Sequence, residues 1–579
     1  MPKTLKIHSE NILPIIKQWL YSDKDIFVRE LISNASDAIA KLKTLRDHGE
    51  AEVADEALRI DVTIDKEART LTFADTGLGM TAEEVEKYIG EVAFSGAEEF
   101  VQKYQEHEQV IGHFGLGFFS SFMAAARVEI DTLSYREGAT AVHWSCDGSS
   151  SYDLTDGSRT QVGTTITLHL AEGEDEYLDP ARLRNILGQH CAFLPVPIYL
   201  NDARLNQSEP LWLKAASDCT DEEYIEFYRQ LYPMEPDPLF WVHLNVDFPF
   251  HLRGILYFPK LRRDFDYNKN SIKLFCNRVF VSDNCKDLIP DFLTVLRGAI
   301  DSPDIPLNVS RSTLQMDRTV RQLSGHIGKK VSDRLVTLHN TDRETFLKCW
   351  EDIEVIVKLG ALQDEKFYER VKDAIVWRQT DGEYTTLEGP GPVYYCSDQG
   401  EESPFLKLYR DRGISVIQTR GPIDSHLIAF LERKNPDVKF KRIDASVDEA
   451  ILDGEVDELS SLQVLVKEML GIDVETKSLA SKTLPAFVTI PEEERRLREF
   501  LSLQGDAPPT PTKHTLVLNT NSKLVQAIEK LHAKSPDLSR DLVRQIYDSA
   551  LITQRELRPA ELDAFLARNL TVLEGLTNL

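Results

Sequence analysis

Glu30-Leu-Ile-Ser-Asn-Ala-Ser-Asp-Ala38, inside the longer segment Leu20–Lys43, is the stretch that decides how this chain reads. Ser22 followed by Asp25 fits a capping box, which predicts a helix beginning near Asp23. Phe27, Leu31, Ala35, Ala38 and Leu42 recur at steps of three and four, one apolar helical stripe. Glu30, Asn34, Asp37 and Lys41 recur in the same way beside it. A docking helix needs the first stripe but not the second. Taken alone, the polar stripe reads as an ordinary solvated edge. The functional alternative puts Glu30 and Asn34 on a cleft, where a carboxylate serves as base and an amide oxygen holds a metal.

From Arg59 the pattern changes to alternation. Ile60, Val62 and Ile64, then Leu71 and Phe73, predict two strands joined around Asp65–Arg69. The second runs into Asp75-Thr-Gly-Leu-Gly-Met-Thr81, and a helix is predicted over Ala82–Tyr88. Glycines two apart after a strand let a ligand approach the backbone, although a simple turn explains them equally well. Gly112-His-Phe-Gly-Leu-Gly-Phe118 is a further glycine cluster leading into a helix, a place where backbone N–H groups hold phosphate. The polar stretch before it predicts a lid over about residues 90–118. Strands follow at Val128–Leu133, Ala141–Ser145 and Thr164–Leu170, the last opening with Gly163-Thr164.

In this order the four motifs resemble the ATP-binding domain of the heat-shock-protein-90 chaperones, in the bacterial HtpG type, within the GHKL ATPase superfamily. The likeness continues through Glu209-Pro-Leu-Trp212, the predicted helix Thr220–Leu231, Phe275–Asp283, Leu288–Leu293, Pro306–Gln315, Ser403–Leu406 and Gly421–Asp424. It is looser through Leu484–Val488 and Leu516–Asn521. The resemblance implies a multidomain α/β chain: residues 1–210 as a two-layer α/β sandwich with a Bergerat-type ATP site, 211–452 as an α/β middle domain with a phosphate-sensing loop at 306–315, and 453–579 as a mostly helical dimerisation domain.

It also implies residue roles. Glu30 is the general base and Arg29 holds it in reserve. Asn34 carries Mg²⁺ bound with ATP, and Asp37 and Lys41 border the same face. Asp75 accepts from the adenine amino group, Thr164 braces that contact, and Gly79 and Met80 line the pocket. Gly112, Phe114, Gly115, Gly117 and Phe118 cover the phosphates through backbone N–H groups. Arg311, with Gln315 nearby, reaches the γ-phosphate from the middle domain. Departures from the family pattern at Lys87, Tyr88, Phe94, His113 and Ser312 bear on nucleotide affinity and turnover.

Length and composition set the frame for these expectations. The 579 residues suit about three or four domains, and 42% apolar with 28% charged residues is ordinary for a globular protein. Ninety-four acidic against 67 basic residues give −27, which disfavours nucleic acid as a partner. Seven scattered cysteines fit reduced thiols, and no run approaches the ~18–20 apolar residues of a membrane span. A cytoplasmic protein is expected, with neither nucleic acid nor membrane as partner. Leu542, Ile546, Tyr547 and Ala550, then Leu562, Phe565, Leu566, Leu570 and Leu573 after Pro559, form two helical stripes. Since the resembled family dimerises through a C-terminal helical bundle, a homodimer seam is expected there. The chain ends in Leu576-Thr-Asn-Leu579, so helical-repeat partners that read a Met-Glu-Glu-Val-Asp tail are not expected. The function implied is an ATP-dependent chaperone, a homodimeric clamp on partly folded clients, with the seventy-kilodalton heat-shock system as a further partner. The alternatives are a holdase with a degenerate, very slow ATPase and a gyrase- or MutL-type DNA-acting ATPase.

Overall fold

The structure is a computed structural model and describes residues 24–51, 58–91, 115–149, 151–206, 209–260, 271–283, 285, 288–305, 318–387, 389–397, 404–454, 460–495, 513–554 and 556–577. The chain divides into two compact units, 1–334 and 335–579.

The first unit opens with helix α1 (Ile26–Asp47), which starts later than the capping pattern predicts. Ser22 lies outside the described residues, and Asp25 makes no side-chain cap. Its carboxylate instead takes two bonds from Arg182 (2.8 and 2.7 Å) and one from the Tyr177 hydroxyl (3.0 Å).

An eight-stranded sheet runs β5-β4-β3-β6-β2-β1-β7-β8. Its members are β1 (Ile60–Asp65), β2 (Thr70–Asp75), β3 (Ala125–Leu133), β4 (Val142–Cys146), β5 (Asp153–Asp156), β6 (Gly163–Leu170), β7 (Ile198–Leu200) and β8 (Ala203–Arg204). Alternation sorts its faces: Ile60, Val62, Leu71, Phe73, Val128, Ile130 and Leu168 are buried, while Asp61, Thr63, Thr72, Glu129, Asp131, Thr167 and His169 lie on the more open face. The predicted strands are all present. The short β5 was not predicted, because Asp153-Leu-Thr-Asp156 has almost no apolar content to announce it.

Helix α2 (Ala82–Tyr88) falls where the sequence puts it and is fixed by a capping box between Thr81 and Glu84. The helix expected after the Gly112–Phe118 cluster is a tighter 3-10 turn, Gly117–Met123. Ser120 and Ser121 hydroxyls donate to the carbonyls of Gly117 and Phe118, competing with the α-helical ladder. Helix α3 (Pro180–Cys191) packs against α1, and α4 (Asp221–Leu231) precedes a five-stranded sheet built from residues 240–301.

In the second unit, a parallel three-stranded sheet and a mixed one are flanked by helices. Lys358 is buried between Glu354 (2.8 Å) and Asp424 (2.7 Å) and lies over the Trp377 ring. Near the end, α5 (Pro536–Thr553) and α6 (Pro559–Thr577) are tied by an ion pair between Asp548 and Arg568. The α5 stripe is mostly buried, whereas Leu562, Leu566, Leu570 and Leu573 of α6 stay exposed.

Candidate functional site

Helix α1 is buried along most of its length rather than presenting a solvated edge. Glu30 and Asp37 are buried, and Asn34 and Lys41 are half-buried. Arg29 bonds Glu30 Oε1 through Nε (3.2 Å) and Nη2 (2.8 Å), with both side chains almost wholly shielded. Burial lowers the Lys41 ammonium below its ordinary value, and Asp37 nearby pulls it back. The Cys191 thiol, also affected by the Arg29–Glu30 pair, is pushed up to about 12 by burial, so it is inert.

Gly117 sits directly against Glu30. A Cβ there would come 2.5 Å from Glu30 Oε2, so only glycine lets the phosphate-loop motif close over the carboxylate. Gly115 adopts a left-handed φ of 61°. The Phe118 side chain is in the core, edge-on to Phe119, Phe122 and Trp144, so a ligand could meet only its backbone.

The other wall is the end of β2. Asp75 is buried, and its carboxyl is raised to about 6 by desolvation, against the Gly77 N–H, the Arg159 charge and the Thr164 N–H, which pull it down. Gly77 N donates to Asp75 Oδ1 at 2.8 Å, and a Cβ on Gly77 would meet Ala38 of α1 at 2.6 Å. Leu78 N donates to the Ala38 carbonyl (3.3 Å), so this loop and α1 form one surface. Gly79, at φ 61°, passes so close to the Leu133 carbonyl that a Cβ would stand 1.9 Å from it.

Asp75, Thr164 and Thr132 lie opposite one another across β2, β6 and β3. The Thr132 and Thr164 hydroxyls are 3.0 Å apart, and Met80 N donates to Thr132 Oγ1 at 3.0 Å. Thr132 was missed from sequence; its place opposite Gly163-Thr164 in an adjacent strand was the available signal. The structure thus brings Glu30, Arg29, Gly115 and Gly117 into one group and Asp75, Gly79, Met80 and Thr164 into another, joined through Ala38 on the helix that carries Asn34, Asp37 and Lys41. Gly112, Phe114, Arg311, Gln315, most of the predicted lid and the 306–315 loop lie outside the described residues, as do Phe94, His113 and Ser312.

Among the described residues no group of three or more His, Cys, Asp or Glu side chains could hold a metal. A cation here needs oxygens from a ligand besides the amide of Asn34. That suits Mg²⁺, which prefers few protein ligands and phosphate oxygens. Likewise, a buried carboxylate in register with the paired Thr164 and Thr132 hydroxyls suits a ligand's amino group as a hydrogen-bond donor.

Comparisons with known proteins agree with this geometry. Residues 22–164 match the family model described as histidine kinase-, DNA gyrase B- and HSP90-like ATPase, and residues 200–574 match that described as Hsp90 protein. The chain is 42% identical over 572 residues to the chaperone protein HtpG of Porphyromonas gingivalis, covering 91% of this chain and 84% of that one. It is 40% identical over 571 residues to the HtpG of Bacteroides fragilis (90% and 83% covered) and 31% over 597 residues to that of Serratia proteamaculans (94% and 94%). Two family models that together match residues 22–164 and 200–574, and relatives that align over about nine-tenths of the chain, leave one conclusion: this protein belongs to the Hsp90 family and is an ATP-dependent chaperone with a GHKL-type ATPase domain.

Proposed function

We propose that ATP is bound between Asp75 and Glu30, and that its hydrolysis drives a homodimeric clamp acting on partly folded client proteins. The buried Arg29–Glu30 pair against Gly117 is the observation that carries this reading. Arg29 bonds one carboxylate oxygen, and the other lies beside Gly117 near the end of the Gly112–Phe118 motif, where it would orient the attacking water. Asp75 would accept from the adenine amino group, with Thr164 and Thr132 bracing it, and Gly79 and Met80 would line the ring's slot. Backbone N–H groups from Gly112 to Phe118 would cover the phosphates, and Asp37 and Lys41 would border them. Asn34 would hold Mg²⁺, which when bound neutralises charge building on the phosphates.

Arg311, with Gln315, would reach the γ-phosphate from the 306–315 loop. A charge-assisted contact adds about 1.5–3 kcal/mol, enough to favour a docked arrangement by roughly ten- to a hundredfold while ATP is intact. Hydrolysis then removes the contact and the clamp reopens. Three modules, 1–210, 211–452 and 453–579, would share the work, the last supplying the dimer seam through the exposed leucines of α6. Among the described residues no helix is long and apolar enough to cross a membrane, and a cytoplasmic setting beside the seventy-kilodalton heat-shock system is the reading we adopt.

ATP turnover by wild type and Glu30→Gln, alongside nucleotide binding by calorimetry, tests the core of this. We expect turnover to be lost and binding kept. Equal turnover in the two proteins removes Glu30 as the base.

A further inference from the structure

The strap Gly157–Val162 connects β5 to β6, and one side chain of it reaches the backbone of Asp75. Arg159 Nη2 donates to the Asp75 backbone carbonyl at 2.7 Å, and Nε donates to the Gln161 carbonyl at 2.9 Å. Nη1 bonds the Thr165 hydroxyl. The planar guanidinium thus spends its fork on fixing three points at once: its own strap, β6 and the last residue of β2.

Gly163 makes this reach possible. At φ 126° it would place a Cβ 2.1 Å from the Asp75 carbonyl and 2.7 Å from Arg159 Nη2. The glycine before Thr164 therefore clears the path of the arginine as well as the strand start. The strap is anchored in turn, since Ser158 N donates to Asp131 Oδ1 (3.3 Å), whose Oδ2 is held by His143 (3.0 Å).

We infer that Arg159 is a positioning residue for nucleotide recognition: it fixes the backbone of Asp75 and sets a cation beside that residue. This rests on the reading of Asp75 as the adenine acceptor. Around Asp75, α1 brings Asp37 and Lys41, β1 brings Asp61 with Arg59 bonded to it, and β3 brings Asp131 paired with His143. Among the described residues, Arg159 is the charge that acts on the Asp75 carboxylate. It pulls the carboxyl downward against burial, and the guanidinium itself feels both Asp75 and Asp131. Without that cation the carboxyl rises further, so protonation reaches into the neutral range and the acceptor is lost at higher pH.

The test is calorimetric titration of the full chain with ADP between pH 6 and 8.5, for wild type, Arg159→Gln, Arg159→Lys, Thr165→Val and Asp75→Asn. The ratio of variant to wild-type affinity cancels the titration of the diphosphate itself. Arg159→Gln should bind about tenfold more weakly at pH 7, with the gap closing to about twofold by pH 8.5. Arg159→Lys keeps the charge and should restore the wild-type pH midpoint. Thr165→Val, which loosens the guanidinium without removing it, should move affinity in the same direction by about threefold at pH 7 and stands in should the glutamine variant not fold. A loss in Arg159→Gln that is equal at every pH and equal in Arg159→Lys makes the arginine a mere loop clamp and overturns the inference. So does wild-type affinity in both Arg159→Gln and Thr165→Val. Wild-type affinity in Asp75→Asn sinks the adenine reading instead, a separate failure.

Discussion

Arg29 and Glu30 are consecutive residues of one helix, yet their side chains curl together into a buried ion pair, Nη2 standing 2.8 Å from Oε1. Successive helical residues point about 100° apart, so the two side chains must bend toward each other, and unlike the exposed Arg46–Asp47 pair of the same helix they do so almost wholly shielded from solvent. The pair is therefore fixed by the fold around it. Removing either partner takes a charge-assisted bond from a group that stays buried.

That sets how Glu30 should be probed. Glu30→Ala leaves the Arg29 guanidinium buried without its carboxylate and should cost about 3–5 kcal/mol of stability, confusing lost chemistry with lost fold. Glu30→Gln keeps an acceptor for Arg29 and should lower the melting temperature far less. Thermal unfolding of the two variants checks this, and equal melting temperatures would contradict it.

Gly117→Ala should act on the same carboxylate from the other side. The added Cβ collides with Glu30 Oε2 at 2.5 Å, so the carboxylate must turn away or the loop must lift. We expect turnover to fall at least about tenfold, the scale of a misplaced catalytic group, with little change in secondary structure by circular dichroism. Unchanged turnover would mean that the Glu30 carboxylate can relocate without consequence.

Asp75 should trade stability for recognition. Its carboxyl is raised from the ordinary carboxylate range to about 6, so the folded state binds a proton more tightly than the unfolded one. The sign follows: stability from this group is greatest below about pH 4 and declines as pH rises toward 6. Ionised, the group costs roughly 3 kcal/mol at neutral pH. Asp75→Asn should therefore be at least as stable as wild type at pH 7 without nucleotide, while binding ATP poorly. Urea unfolding at pH 4.5 and 7 reads the difference, and an asparagine variant destabilised more at pH 7 than at pH 4.5 would reverse the argument.

The α6 leucines should hold two copies together. Leu562, Leu566, Leu570 and Leu573 are 44–63% exposed, while Asp548 and Arg568 lock the helix so that this face looks outward. Burying one leucine contributes roughly 1.5–3 kcal/mol, so Leu566→Glu with Leu570→Glu should weaken self-association at least about a hundredfold. Sedimentation equilibrium measures it. A double variant that remains dimeric moves the seam elsewhere.

Much of this was legible in sequence because it is periodic or local. The strands at Ile60–Asp65 and Thr70–Asp75 follow from alternation, and the helix Ala82–Tyr88 falls where the sequence places it, after the glycine turn. The burial of Glu30 was not legible, because the apolar residues Ile26, Val28, Ile32 and Ile39 that wrap the other faces of α1 looked like scatter around one stripe. The bonds of Asp25 to Tyr177 and Arg182 were not legible, because those partners lie more than 150 positions away. Arg159 meets Asp75 across 84 residues of chain, and no spacing rule reaches that far. Thr132 joined the site only once β3 was known to lie beside β6.

The alignment of Asp75, Thr164 and Thr132 across three strands also bears on how the sheet is assembled. A slip of β6 by one residue would turn Thr164 to the opposite face and bring Thr165 to Asp75, so on the proposed reading of Asp75 a misthreaded sheet would lose its adenine contact. Nucleotide then favours the properly threaded chain alone, by RT ln(1 + [L]/Kd), about 2.7 kcal/mol at a hundredfold excess over Kd. The cell's own ATP pool would in this way act as an inspector of newly made copies, selecting those whose strands have zipped up correctly before they are put to work on others.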